Sequence, residues 1–242
     1  MKTLKYIILC FGLLLSCTID QDDEVQTLKS YTNNRAIERG AVIACAASDS
    51  DTGEIITFYY PELGAVNARI FQTLSVDVDE TNFANYSQNP LASEPVFNGH
   101  LGKFTQSDIQ EKWIIVTFEL DGEIKLSNPI KSKQITQPTI WTDAVVIGQY
   151  ETGMPNFSWE NNVTGHNAIY FQVVSDRANN LLSGTYTFNN QFQYYNTSNV
   201  VLNVTIQTPP DLIVNEYYNF TLMDVSLDNW VNLVIQKSFL AE

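Results

Sequence analysis

Trp113-Ile114-Ile115-Val116-Thr117-Phe118-Glu119-Leu120, then Asp121-Gly122, then Glu123-Ile124-Lys125-Leu126 is the stretch that decides the fold. Two runs rich in β-branched and aromatic residues flank a dipeptide whose residues both tolerate positive φ, the strongest short-range signal for a hairpin. The grammar repeats on either side. Ala41–Ala46 and Ile55–Tyr60 are apolar runs parted by Asp49-Ser50-Asp51-Thr52-Gly53, and Ala68–Leu74 and Pro95–Phe104 supply further strand candidates. Past a link at Gln134–Pro138 come Pro155–Trp159, Ala168–Ser175, Gly184–Phe188, Val200–Gln207, Tyr217–Val225 and Trp230–Gln236. Between Val200 and Ile206 the apolar residues alternate, as a half-buried antiparallel strand requires. Helical period is nearly absent, so the chain is expected to be all-β, with two antiparallel β-sandwich domains at 39–136 and 137–242.

The first 38 residues differ. Lys2 and Lys5 precede an apolar run from Tyr6 to Leu15, with small Ser16 before Cys17, the order of an export signal over residues 1–16. Ten apolar residues are too few for a spanning helix, which needs about 20. Residues 17–38 carry the acidic run Asp20–Glu24 and lack periodicity, so they are expected to form a flexible acidic tether.

With 13 basic and 27 acidic residues in 242, the chain has a formal net charge of −14. That balance argues against nucleic acid, whose binding rests on neutralising phosphates with Lys and Arg. Cys10 lies in the signal and Cys17 precedes the folded part, which leaves Cys45 as the lone thiol of the two domains. Their stability is expected from packing, with no disulfide between them.

Two constellations carry candidate chemistry. Asp49, Asp51 and Glu54 around Gly53 offer oxygen ligands of the kind calcium takes, although the spacing covers only part of a calcium loop; a solvated hairpin tip is the competing reading. Asp77, Asp79 and Glu80 form a second acidic cluster. Tyr186, Phe188, Phe192 and Tyr194 share parity within an Asn- and Gln-rich segment, so an extended strand would align them as a stacking face for sugar rings, or equally as a core face. Tyr195 has the opposite parity and would then be the exposed ring. The two histidines, His100 and His166, both neighbour glycine and assemble into no zinc site or serine triad.

Several stretches resemble known families. Leu14-Leu15-Ser16-Cys17 resembles the lipobox of bacterial lipoproteins, which implies diacylation (palmitate or a similar chain) of the Cys17 thiol and membrane attachment through that lipid. Thr18–Glu24 resembles the acidic export signal of Bacteroidota surface lipoproteins, which implies the outer face of the outer membrane; a periplasm-facing lipoprotein is the alternative. Phe157-Ser158-Trp159 with Ala168–Val174 resembles the B and C strands of fibronectin type III domains. Leu212 and Tyr218 resemble that family's tyrosine corner, with Val214-Asn215 standing where the family usually has Pro-Gly. The layout is similar to that of small two-domain flavobacterial lipoproteins with fibronectin-like or immunoglobulin-like sandwiches. It implies a non-catalytic cell-surface binding module for a glycan or an envelope protein. A carbohydrate hydrolase working through paired carboxylates, and a spacer subunit of an envelope complex, are the alternatives.

Overall fold

The computed structural model describes residues 26–107, 110–161, 166–194, 196–205 and 207–242, so the expected signal, Cys17 and the acidic run lie outside the described residues. In the first half the strands are β1 (Ile37–Val42), β2 (Ala44–Ser48), β3 (Ile55–Tyr59), β4 (Val66–Gln72), β5 (Ser87–Asn89), β6 (Glu94–Val96), β7 (Leu101–Gln106), β8 (Trp113–Leu120), β9 (Glu123–Ser127) and β10 (Ile130–Lys131). They form sheet A, ordered β1-β9-β8-β4-β5 with β10 also on β8, and sheet B, ordered β2-β3-β7-β6. The second half comprises β11 (Ile140–Thr142), β12 (Val146–Gly148), β13 (Asn156–Ser158), β14 (Asn167–Asp176), β15 (Leu181–Thr187), β16 (Gln191–Gln193), β17 (Val200–Asn203), β18 (Tyr217–Ser226) and β19 (Val231–Leu240). Sheet C runs β11-β19-β18-β14-β15-β17 and sheet D runs β12-β13-β16. The fold is therefore all-β with two sandwiches. Among the described residues the strands pair antiparallel, except β1 on β9 and β11 on β19.

The deciding hairpin forms as its sequence demands. Asp121 and Gly122 sit at φ 53° and 82°, so both central residues take the left-handed conformation that matches the twist of the flanking strands. Strand β8 then runs through the middle of sheet A. Its Ile114, Val116 and Phe118 point into the first core, where Ile55 and Phe104 of sheet B meet them. Ile115 points to the other face and packs with Phe71, Ile124 and Leu126.

That outer face of sheet A is covered by α1 (Leu28–Thr32), capped by the Thr27 side chain, which accepts from the Ser30 N–H at 3.1 Å. Leu28 is fully buried there, and Tyr31 stacks on Phe71 at 5.4 Å. Burying such side chains contributes about 1.5–3 kcal/mol each. The flexible tether expected over 17–38 is corrected by this packing: from residue 28 onward the segment is a helix followed by β1 on sheet A.

The second core lies between sheets C and D. Phe157 stacks on Phe220 at 4.1 Å, and Trp159 meets Tyr170 edge-on at 5.2 Å. The tyrosine corner is present: the Tyr218 hydroxyl accepts from the Ile213 N–H at 2.9 Å. Asn215 at φ 68° supplies the left-handed residue that the departure from Pro-Gly had left open.

The two sandwiches are packed face to face. Strands β2, β3 and β7 bury Ala46, Ile55 and Phe104 on one face, while Ala47, Phe58 and Leu101 on the other pack against Phe171, Val173, Met223 and Val225 of sheet C. The order of layers is helix α1, then sheets A, B, C and D. A hairpin tip reinforces the junction: Trp230, between β18 and β19, is fully buried in the core of the first sandwich. Its neighbour Asn229 accepts the Ala46 N–H at 3.0 Å through its carbonyl, and Lys133 pairs with Asp228 at 2.5 Å.

Candidate functional site

The predicted aromatic face does not exist as one surface. Strand β15 ends at Thr187, and the chain turns through residues 188–190 before β16 joins the other sheet of the sandwich. Parity counts positions along a single strand, so this turn voids it. Phe192 and Tyr194 enter the core of the second sandwich, where the Tyr194 hydroxyl donates to the Pro210 carbonyl at 2.6 Å. Phe188 is 64 % exposed at the turn. Tyr186 points the opposite way, into the junction between sandwiches, stacked on Phe171 at 4.5 Å. Tyr195 lies outside the described residues.

The acidic hairpin tip is organised by its own loop. Asp49 Oδ1 accepts from the Asp51 N–H at 3.0 Å, the Thr52 N–H at 2.8 Å and the Thr52 hydroxyl at 3.0 Å. Those backbone donors hold its carboxyl below the usual range. Glu54 accepts from the Thr52 hydroxyl at 3.3 Å. Asp49, Asp51 and Glu54 thus build a turn and do not converge on a cation: among the described residues no group of three His, Cys, Asp or Glu is placed to hold a metal. Asp79 repeats the pattern, accepting from the Thr81 N–H and hydroxyl at 2.9 and 2.6 Å.

Two other places have the character of sites. One is the end of the second sandwich where the loops around residues 149–155 and 210–217 meet the C-terminal residues. Gly153 N–H donates to the Glu242 carbonyl at 2.9 Å, Asn215 N–H to the Ala241 carbonyl at 2.8 Å, and the Gln149 side chain to the Leu240 carbonyl at 2.8 Å. From this knitted end project Tyr150 at 95 % exposure, Ile213 at 66 %, Tyr217 at 53 % and Val214 at 43 %. The tyrosine corner fixes Ile213 and Tyr217 on either side of its own hydrogen bond. The sequence signal for this end was present in Tyr217-Tyr218, of which only the second ring is buried.

The other is a cavity of about 80 Å³ at the junction, between sheets B and C, walled by Cys45, Phe58, Phe171, Tyr186, Met223 and Val225 among others. Although Cys45 is not fully closed off from solvent, its packed surroundings push the thiol up to about 12, so it stays protonated and unreactive as a nucleophile. Burial likewise raises the Tyr186 phenol above its ordinary value.

No protein-family model and no curated protein matches the chain. Among solved structures it is similar to the alpha chain of the chicken interferon gamma receptor, crystallised with selenomethionine. The identity is 8 %, the match covers 82 % of this chain and 96 % of that one, and the TM-score is 0.26.

Proposed function

We propose that this protein is a non-catalytic, lipid-anchored binding module of the cell envelope, and that it engages another envelope protein through the apolar end of its second sandwich. The observation that carries the reading is the set of Tyr150, Ile213, Val214 and Tyr217 held in the open by a hydrogen-bonded frame. Large apolar side chains gathered on an otherwise acidic surface mark contact sites, and tyrosine is enriched at protein interfaces. The rigid frame lowers the ordering cost of binding.

The placement suits a tethered module. The chain enters the described structure at Gln26, whose carbonyl accepts from the Gln88 N–H of β5 on sheet A. The apolar end belongs to sheets C and D. Sheets pack about 10 Å apart, so two steps carry the end about 20 Å from the layer where the tether attaches. Acylation of Cys17, followed by the acidic stretch to Glu24, supports display at the outer membrane surface. A glycan ligand has less support, because Phe192 and Tyr194 are core residues and offer no stacking face.

Photo-crosslinking on intact cells tests the reading, with the reactive residue at position 150 and a control at Leu63, an equally exposed residue of the first sandwich (94 %). A discrete protein adduct from position 150 and none from position 63 is expected. The same adducts from both, or none from 150 beside retention on a glycan array, would overturn the partner assignment. A Cys17→Ala protein that still partitions with membranes would remove the anchor.

A further inference from the structure

The cavity at the junction combines a mostly apolar lining with a few hydrogen-bonding side chains. Side chains of sheets B and C pack into one cluster, yet between them about 80 Å³ stays unfilled, with Cys45 and Phe58 on one side and Phe171, Tyr186 and Met223 on the other. The space is partly open, and its apolar lining would regain dispersion contacts with a molecule that fits it. Tyr186, only 9 % exposed, lines the space, and its hydroxyl has no hydrogen-bond partner among the described residues. The hydroxyl is not sealed off from accessible space, so it can donate to a molecule that enters. The remaining wall is chiefly apolar, with Ile169 and Val225 beside the rings, which suits an apolar body and disfavours a cluster of ordered waters needing two to four polar partners each. The cavity opens where Ile43, at 37 % exposure, and Tyr60 border solvent, so a ligand has a path in.

We infer that this cavity is a binding site for a small uncharged molecule with an apolar ring-sized body and one hydrogen-bonding oxygen, which pairs with the Tyr186 hydroxyl. Charged ligands are disfavoured by the wall, which contains no Asp, Glu, Lys, Arg or His to pair with them. The site is independent of the partner-facing end, because it draws on both sandwiches at their junction and on none of the four exposed residues there.

The test uses p-cresol as the probe and toluene as the same ring without the hydroxyl, added to the full chain and followed by methyl NMR of Met223, Ile169 and Val225. Saturable shifts at these methyls with both probes, p-cresol the tighter, are expected. Tyr186→Phe keeps the ring on Phe171 and is expected to weaken p-cresol about three- to tenfold while leaving toluene unchanged. Cys45→Leu fills the wall and is expected to abolish both. Absence of saturable shifts with either probe at millimolar concentration would overturn the site. Equal p-cresol binding by Tyr186→Phe would overturn the role of the hydroxyl. Toluene as the retained control distinguishes a lost hydrogen bond from a disturbed fold in the Tyr186→Phe protein.

Discussion

The indole N–H of Trp230 donates to the Gln137 carbonyl at 2.8 Å, so a residue at the tip of the second sandwich's last hairpin is bonded to the link between the halves while its ring fills the core of the first. Replacing it with alanine leaves a cavity in that core and is expected to cost about 3–5 kcal/mol. Equilibrium urea unfolding is expected to show one transition for the natural protein and two for Trp230→Ala, because the sandwiches lose their shared residue. A single transition merely shifted in midpoint would argue that the sheet B to sheet C contact suffices alone.

Asp224 is fully buried on the core side of β18. Its Oδ1 accepts from Asn167 at 2.8 Å and Asn232 at 3.4 Å, while Oδ2 has no partner. Burial raises its carboxyl above the ordinary value, and the two amide donors oppose the shift only in part. A folded pKa above the unfolded one favours the protonated form. The contribution is therefore full below the unfolded value and lost as pH rises through the folded one. Asp224→Asn removes the charge at nearly constant shape. Its melting temperature is expected to exceed that of the natural protein by a margin that grows from pH 4 to pH 7, measured by circular dichroism.

Glu119 ties α1 to sheet A. It accepts the Tyr31 hydroxyl at 2.9 Å and pairs through both oxygens with Arg35, at 3.1 and 3.0 Å. The Arg35 hydrogen bond is the first cause that holds its carboxyl down at about 2. A depressed folded pKa gives stability above the unfolded value, about 4.3, that is lost as pH falls toward 2. The pair is partly solvated, so the effect is local. Arg35→Ala is expected to speed hydrogen exchange of the α1 amides about two- to fivefold at pH 7 and to leave the β8 amides unchanged.

Gly102 of β7 lies against the Tyr59 ring: a Cβ there would come within 2.4 Å of it. Tyr59 is pinned by stacking on Phe104 at 5.5 Å and by its hydroxyl on Ser93 at 2.8 Å, so it has little room to yield. Gly102→Ala is expected to destabilise by about 1–3 kcal/mol in urea titration. Gly122→Ala, in open space but at φ 82°, is expected to cost about 1 kcal/mol for a different reason, backbone strain in the turn.

Sequence reading succeeded where a strand is long and central. Trp113–Leu120 matches β8 in both bounds, because both its faces are packed and its end is set by Asp121-Gly122. It failed for β1, β11, β12 and β16, which are short or exposed and owe their place to long-range pairing that no local period encodes. Val200–Ile206 shows the intermediate case. Its alternation is real, yet β17 is an edge strand ending at Asn203 with Leu202 43 % exposed, and Ile206 lies outside the described residues. The junction left a trace that was legible in principle. Ile169 to Val174 and Leu222 to Val225 are almost continuously apolar, the mark of strands buried on both faces. What such runs cannot say is which sheet covers the second face, so the pocket at Tyr186 had no signature along the chain.

Trp230 also fixes the unit in which this protein can be inherited. β-Sandwich modules are commonly duplicated, exchanged and fused as independent cassettes, each with a closed core of its own. Here an excised first half would carry a hole and an excised second half a bare indole, since the ring and the core it fills lie on opposite sides of the Gln134–Pro138 link. Recombination that respects folding must move the two halves together.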